Sequence, residues 1–168
     1  MRTVQGAKAQ APLALALVLC AAIPAQACWD EAATRYRVNS ALLYAIAQTE
    51  SGLNPLALGR NANGSRDIGL MQINSAWLPA LAEYGISERD LFQPCTSIHV
   101  GAWVLARNFH RLGYSWEAVG AYNAVSPSLR RAYVARVQRN LNRGANKQQG
   151  VHAESVKARS DSTNRRLK

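Results

Sequence analysis

A lone carboxylate, Glu50, sits at the end of the run Ala45-Ile46-Ala47-Gln48-Thr49-Glu50-Ser51-Gly52, a setting unusual for a charged group. Leu42, Leu43, Ile46 and Ala47 recur at helical spacing, and Gly52, Asn54 and Pro55 are stop signals. The pattern therefore predicts Glu50 in the last turn of a buried helix. The negative end of a helix dipole and an apolar neighbourhood both disfavour ionisation, so such a carboxyl stays protonated nearer neutral pH and can serve as a general acid. The competing reading is a solvated glutamate at a frayed helix end, because most helical glutamates are surface groups. Metal chemistry has less support: tetrahedral zinc needs three or four suitably spaced ligands, and His99, His110 and His152 form no such cluster with the cysteines. No cofactor or metal is expected.

The elements that must position Glu50 are helical. Trp29, Ala32, Ala33 and Tyr36 mark a short first helix, and Asn39 or Ser40 can cap the helix that carries Glu50. Asn54, Pro55, Gly59, Asn61, Asn63, Gly64 and Ser65 predict a loop up to Asp67, long for a compact domain and so a candidate functional loop. Ile68 to Asn74 is too short and mixed to assign. Ser75 to Tyr84 reads as a helix ended by Gly85, and Ser87 to Asp90 as a capped brief turn. Ile98, Ala102, Leu105, Phe109 and Leu112 define the strongest amphipathic helix, with Thr96 or Ser97 as cap and Gly113 after its end. Trp116, Val119 and Tyr122 suggest another short helix, and Ser126-Pro127 opens a last one through Leu129, Tyr133, Val137 and Leu141. No period-2 strand pattern is evident, so the expected class is mainly α.

At its N-terminus the chain carries the marks of export. Arg2 and Lys8 precede an apolar run from Ala11 to Ile23, and Ala25-Gln26-Ala27 fits a small-x-small cleavage site, so residues 1–27 are expected to be a signal peptide. The run is short for a membrane span, Leu19 before Cys20 is too large for a lipidation site, and Cys28 lacks the leucine usual three residues upstream. Export to an oxidising compartment permits a disulfide, and after loss of Cys20 the remaining pair, Cys28 and Cys95, has one possible connectivity. The formal net charge is +10, of which Arg2 and Lys8 supply two, so an anionic partner is expected: wall polymer, lipid headgroups or nucleic acid. Residues 142–168 are rich in Asn, Gln, Ser, Lys and Arg, a composition expected to remain a disordered basic tail. It contains no aromatic residue for stacking bases, so no specific nucleic-acid partner is expected.

Three motifs in order, Glu50-Ser51-Gly52, Gly69-Leu70-Met71-Gln72-Ile73-Asn74 and Ala121-Tyr122-Asn123, resemble the soluble lytic transglycosylase (SLT) domain. The flanks Cys28-Trp29, Asp67-Ile68 and Pro94-Cys95-Thr96 are most similar to the small periplasmic members that accompany secretion, pilus and conjugation machines. The resemblance spans residues 28 to about 140, giving a domain at 28–141. It implies a lysozyme-like helical fold of the goose-type and SLT kind, a monomer in the periplasm, and cleavage of the β-1,4 bond between N-acetylmuramic acid and N-acetylglucosamine without water. By the same resemblance Glu50 is the catalytic acid, Ser51 orients or hydrogen-bonds it, Met71 and Gln72 line the sugar cleft, and Tyr122 places its hydroxyl near Glu50 with Asn123 beside it. Ordinary glycosidases use two carboxylates, and Asp67 is the acidic residue near these motifs; the resemblance favours a structural role for it. Ala124-Val125-Ser126 stands where many relatives are glycine-rich. Two alternatives are carried forward: a goose-type hydrolase using water, and a non-catalytic peptidoglycan-binding assembly protein.

Overall fold

A computed structural model of the chain describes the backbone of residues 25–166 and the side chains of residues 28–146. Residues 1–24 of the expected export signal lie outside the described residues. The fold is mainly α, as expected, with helices α1 (Ala25–Tyr36), α2 (Ser40–Glu50), α3 (Leu78–Ala82), α4 (Pro94–Leu112), α5 (Trp116–Gly120) and α6 (Pro127–Arg166). No helix among the described residues is long and apolar enough to cross a membrane.

α2 is the buried axis. Asn39 caps it, its side chain accepting from the Leu42 amide at 2.9 Å, and Leu42, Leu43, Ala45, Ile46 and Ala47 are all buried. Each large aliphatic removed from water in this way contributes about 1.5–3 kcal/mol. α1 packs on α4 and is joined to it by the Cys28–Cys95 disulfide, while α6 lies along α2. A bridge across 67 residues of sequence constrains the unfolded chain, typically contributing about 2–4 kcal/mol.

The predicted loop between α2 and α3 differs from expectation. It contains an antiparallel sheet in the order β1 (Leu58–Arg60), β2 (Arg66–Ile68), β3 (Ile73–Asn74), with Gly59 opposite Asp67 and Asp67 opposite Asn74. Strands of two or three residues are too short to print an alternation, and the turn formers Asn61 to Gly64 make the hairpin between β1 and β2. α4 also starts earlier than its apolar stripe implies. Pro94 occupies its first turn, Gln93 is the capping position, and neither Thr96 nor Ser97 caps it. Ser97 is instead buried, and its Oγ accepts from the Met71 amide at 3.1 Å. The α6 backbone continues to Arg166, so the composition change after Leu141 falls inside a helix; Lys, Arg, Gln and Ala all have good helix propensity.

Candidate active site

Glu50 is the last residue of α2, and hydrogen bonds at Thr49, Glu50 and Ser51 hold that helix end. Ser51 donates its backbone N–H to the Ala47 carbonyl at 3.0 Å and its hydroxyl to the Leu70 carbonyl at 2.7 Å. Thr49 donates to the Ala45 carbonyl at 2.7 Å and accepts from Asn140 of α6 at 2.9 Å. Glu50 itself accepts a 2.6 Å hydrogen bond from the hydroxyl of Tyr133, which is fully buried on α6. Ser51 therefore does not bond the Glu50 side chain; it fastens the helix end to the turn between β2 and β3. Ser51→Ala leaves the Leu70 carbonyl without that hydroxyl and should cost about 1–3 kcal/mol, read from the urea unfolding midpoint.

The turn from Gly69 to Gln72 is tightly built. Gly69 has φ of 73°, and a Cβ there would fall 2.0 Å from the Leu91 carbonyl oxygen, so no larger residue fits. Gln72 also has positive φ, 47°, strain of the kind that persists where surrounding bonds enforce it. Its side-chain amide donates to the carbonyls of Gly69 at 2.9 Å and Ala57 at 3.3 Å. Met71 departs from the sequence expectation: its side chain is completely buried against Gly101 and does not line the cleft. An apolar thioether gains more from the core than from a wet groove, so Met71 acts through its backbone, whose carbonyl accepts from the Tyr122 hydroxyl at 3.0 Å. Tyr122 is thus committed to the backbone, and the hydroxyl bonded to Glu50 is that of Tyr133. Sequence reasoning placed Tyr133 on the apolar stripe of the last helix, and no signal separated its hydroxyl from the packing role of its ring.

Glu50, Gln72, Tyr122 and Asn123 share one cleft of about 1380 Å³, together with Asp67 and Trp77. Asp67 is held by two amides, Asn61 to Oδ2 at 2.9 Å and Asn74 to Oδ1 at 2.7 Å. The loop bearing Tyr122 and Asn123 is fastened by Arg130, which donates to the Ala124 carbonyl at 2.9 Å and pairs with Glu117. Ala124 and Val125, in the segment that departs from the glycine-rich pattern, also line the cleft. Among the described residues no group of three or more His, Cys, Asp or Glu is placed to hold a metal ion.

Electrostatically the site favours a protonated Glu50. Burial pushes its pKa up from 4.5 to about 7; the Tyr133 hydrogen bond and the Arg136 charge pull it down, and the Asp67 charge pushes it up. Tyr122 and Tyr133 are both raised well above the usual tyrosine value, first by burial and then by the Glu50 charge, so both remain hydrogen-bond donors at neutral pH. A carboxyl half-protonated near pH 7 can give up a proton and take one back.

The family model for the transglycosylase SLT domain matches residues 27–143. Invasion protein IagB of Salmonella typhimurium (strain SL1344) is 46% identical over 137 residues, covering 79% of this chain and 83% of that protein. Protein IpgF of Shigella sonnei is 50% identical over 98 residues, covering 58% of this chain and 64% of that protein. Among solved structures, an inactive mutant of lytic transglycosylase Slt from Pseudomonas aeruginosa superposes with a TM-score of 0.60 at 22% identity, a likeness of fold. The match covers 74% of this chain and 24% of that one, so this chain spans about a quarter of the larger enzyme.

Proposed function

Because the chain belongs to the transglycosylase SLT domain family, we propose that it is a periplasmic lytic transglycosylase that cuts the MurNAc-β-1,4-GlcNAc bond of peptidoglycan and leaves 1,6-anhydro-MurNAc. The observation that carries this reading is the half-buried carboxyl of Glu50, with its pKa raised to about 7, in a cleft large enough for several sugars. Protonated Glu50 donates its proton to the glycosidic oxygen as the bond from muramic C1 breaks. Positive charge develops on the ring, as in other glycosidic cleavages. The Glu50 carboxylate, accepting from Tyr133, then removes the proton of the muramic 6-hydroxyl, whose oxygen closes on C1. Glu50 ends the cycle protonated, and no water is consumed. Ser51, Met71, Gln72, Tyr122 and Asn123 serve this chemistry in different ways. Gln72 and Asn123 face the sugars, Tyr122 spans the cleft wall, and Ser51 and the Met71 backbone hold the turn against α2.

A second reading, hydrolysis with Asp67 as partner carboxylate, draws on the position of Asp67 in the same cleft and its influence on Glu50. Two amide donors already occupy the Asp67 oxygens, which favours a structural role. Mass spectrometry of digested sacculi separates the two: muropeptides lighter by one water support the lyase, and exclusively reducing products overturn it. The resemblance to small transglycosylases of secretion, pilus and conjugation machines, with the similarity to proteins named for invasion, supports local wall opening for such an apparatus.

A further inference from the structure

The cleft that holds Glu50 is also lined by α4, and there its chemistry changes sign. Arg107, Asn108 and Arg111 fall within one helical turn, with Arg107 and Arg111 on the same face. The Arg107 guanidinium lies over two indoles, 5.4 Å from the Trp77 ring centre and 5.0 Å from that of Trp103, and those rings meet edge to face at 5.2 Å. Cation–π attraction to two rings holds the guanidinium at this wall of the cleft. Asn108 is only 8% exposed, and its Oδ1 accepts from Arg111 at 3.3 Å, which sets the amide orientation. Its Nδ2 is then buried with no hydrogen-bond partner among the described residues. An unmet donor of this kind is costly unless a ligand or water supplies the acceptor.

The two arginines, for their part, lack carboxylate partners among the described residues. Arg66 and Arg130 are paired with Glu88 and Glu117, whereas among the described residues neither Arg107 nor Arg111 has a carboxylate within ion-pair distance. His110 and Arg111 lie in the last turn of α4, where they offset the helix dipole; Arg107 lies a turn further in and has no such role. Elsewhere the cleft offers Glu50, Asp67, Gln72, Asn61 and Asn74, groups suited to neutral sugar hydroxyls and acetamides. An anionic ligand is what the α4 wall would hold.

We propose that Arg107 and Arg111, the latter oriented by the Asn108 Oδ1, form a subsite for the peptide that peptidoglycan carries on its muramic residues, the guanidinium groups holding a peptide carboxylate. This rests on the peptidoglycan reading of the Glu50 cleft. Planar guanidinium forks match carboxylates two bonds at a time, a geometry that neutral sugars do not exploit. The enzyme accordingly prefers peptide-bearing strands whose carboxylates are free over strands whose carboxylates are masked.

The test is calorimetric binding to the Glu50→Gln protein, in which turnover does not interfere. Two probes are compared: a disaccharide tetrapeptide from muramidase-digested sacculi, and the same fragment with its carboxylates converted to methylamides. The native fragment should bind about tenfold more tightly, as expected for one charge-assisted contact of about 1.4 kcal/mol. Adding Arg107→Gln and Arg111→Gln should erase the preference, with both probes binding as the amidated one does, and Lys at both positions should restore part of it. Equal affinities in the Glu50→Gln protein, or a preference that survives loss of both arginines, overturn the subsite. Should removal of Arg107 from its indoles prevent folding, the exposed Arg111→Gln alone must reduce the preference, and an unchanged preference overturns the proposal. The anhydro product is measured separately on the unaltered protein, so a carboxylate preference without that product would retain the subsite and reject the chemistry.

Discussion

Glu50→Gln is expected to reduce release of anhydromuropeptides from sacculi by about 10³-fold, because one side chain supplies both the proton that leaves and the base that takes one back. Glutamine is nearly the same size, and its amide oxygen can still accept from Tyr133, so the fold should survive. The stability readout has a definite sign. The folded-state pKa of Glu50, about 7, lies above its ordinary 4.5, so the native protein binds the proton more tightly than the unfolded chain does. The resulting stability is fully present below pH 4.5 and is lost as pH rises through about 7. Complete loss amounts to roughly 3 kcal/mol, before discounting for the partial exposure of the carboxyl. Glu50→Gln removes this dependence, so the variant should equal or exceed the unaltered protein in unfolding free energy at pH 8, with the gap closing toward pH 5. Full activity in Glu50→Gln would reject the acid-base role at its centre, and inactivity of the unaltered protein itself would favour the non-catalytic assembly reading.

Tyr133→Phe should lower kcat by about 10- to 100-fold, since a hydrogen bond to a charged group is worth about 1.5–3 kcal/mol and this one is made to the carboxylate that must act as base. A second effect distinguishes it from lost packing. The Tyr133 hydroxyl holds the Glu50 pKa down, so its removal lets that pKa rise. Glu50 begins the reaction protonated, and activity falls as pH rises through its pKa; the alkaline limb of the pH–rate profile should therefore move to higher pH in the variant. A merely structural ring would lower stability and leave the limb in place. Tyr122→Phe is the contrasting case: its hydroxyl bonds the Met71 carbonyl, and its loss should loosen the turn with a smaller movement of the limb.

The helix that carries Glu50, the residue proposed as the acid, was legible without coordinates. Glu50 is marked by an apolar helix ending in Ser51-Gly52, Asn39 caps that helix, and with Cys20 in the expected leader only Cys28 and Cys95 remained to pair; each is a local pattern or a forced choice. The mainly α class follows from the same periodicities. The short sheet was not legible, because two- and three-residue strands have no period and form only when Asp67 is drawn between Gly59 and Asn74. Contacts across long separations were decided by tertiary packing. Ser51 reaches Leu70, Ser97 reaches Met71, and Tyr133 reaches Glu50 across 83 residues, and in each case the side-chain type permits several partners while the docking of helices selects one. Met71 shows the same limit from the other side: a motif names the residue, but only the approach of α4 at Gly101 determines that its thioether is core and its carbonyl is the working group. What the sequence determined by itself is which group could act as an acid, since that depends on residue type and local burial. Which hydroxyl faces that acid, and which arginines are left without counter-charges, depended on how distant elements meet, and that is a property of the packed structure alone.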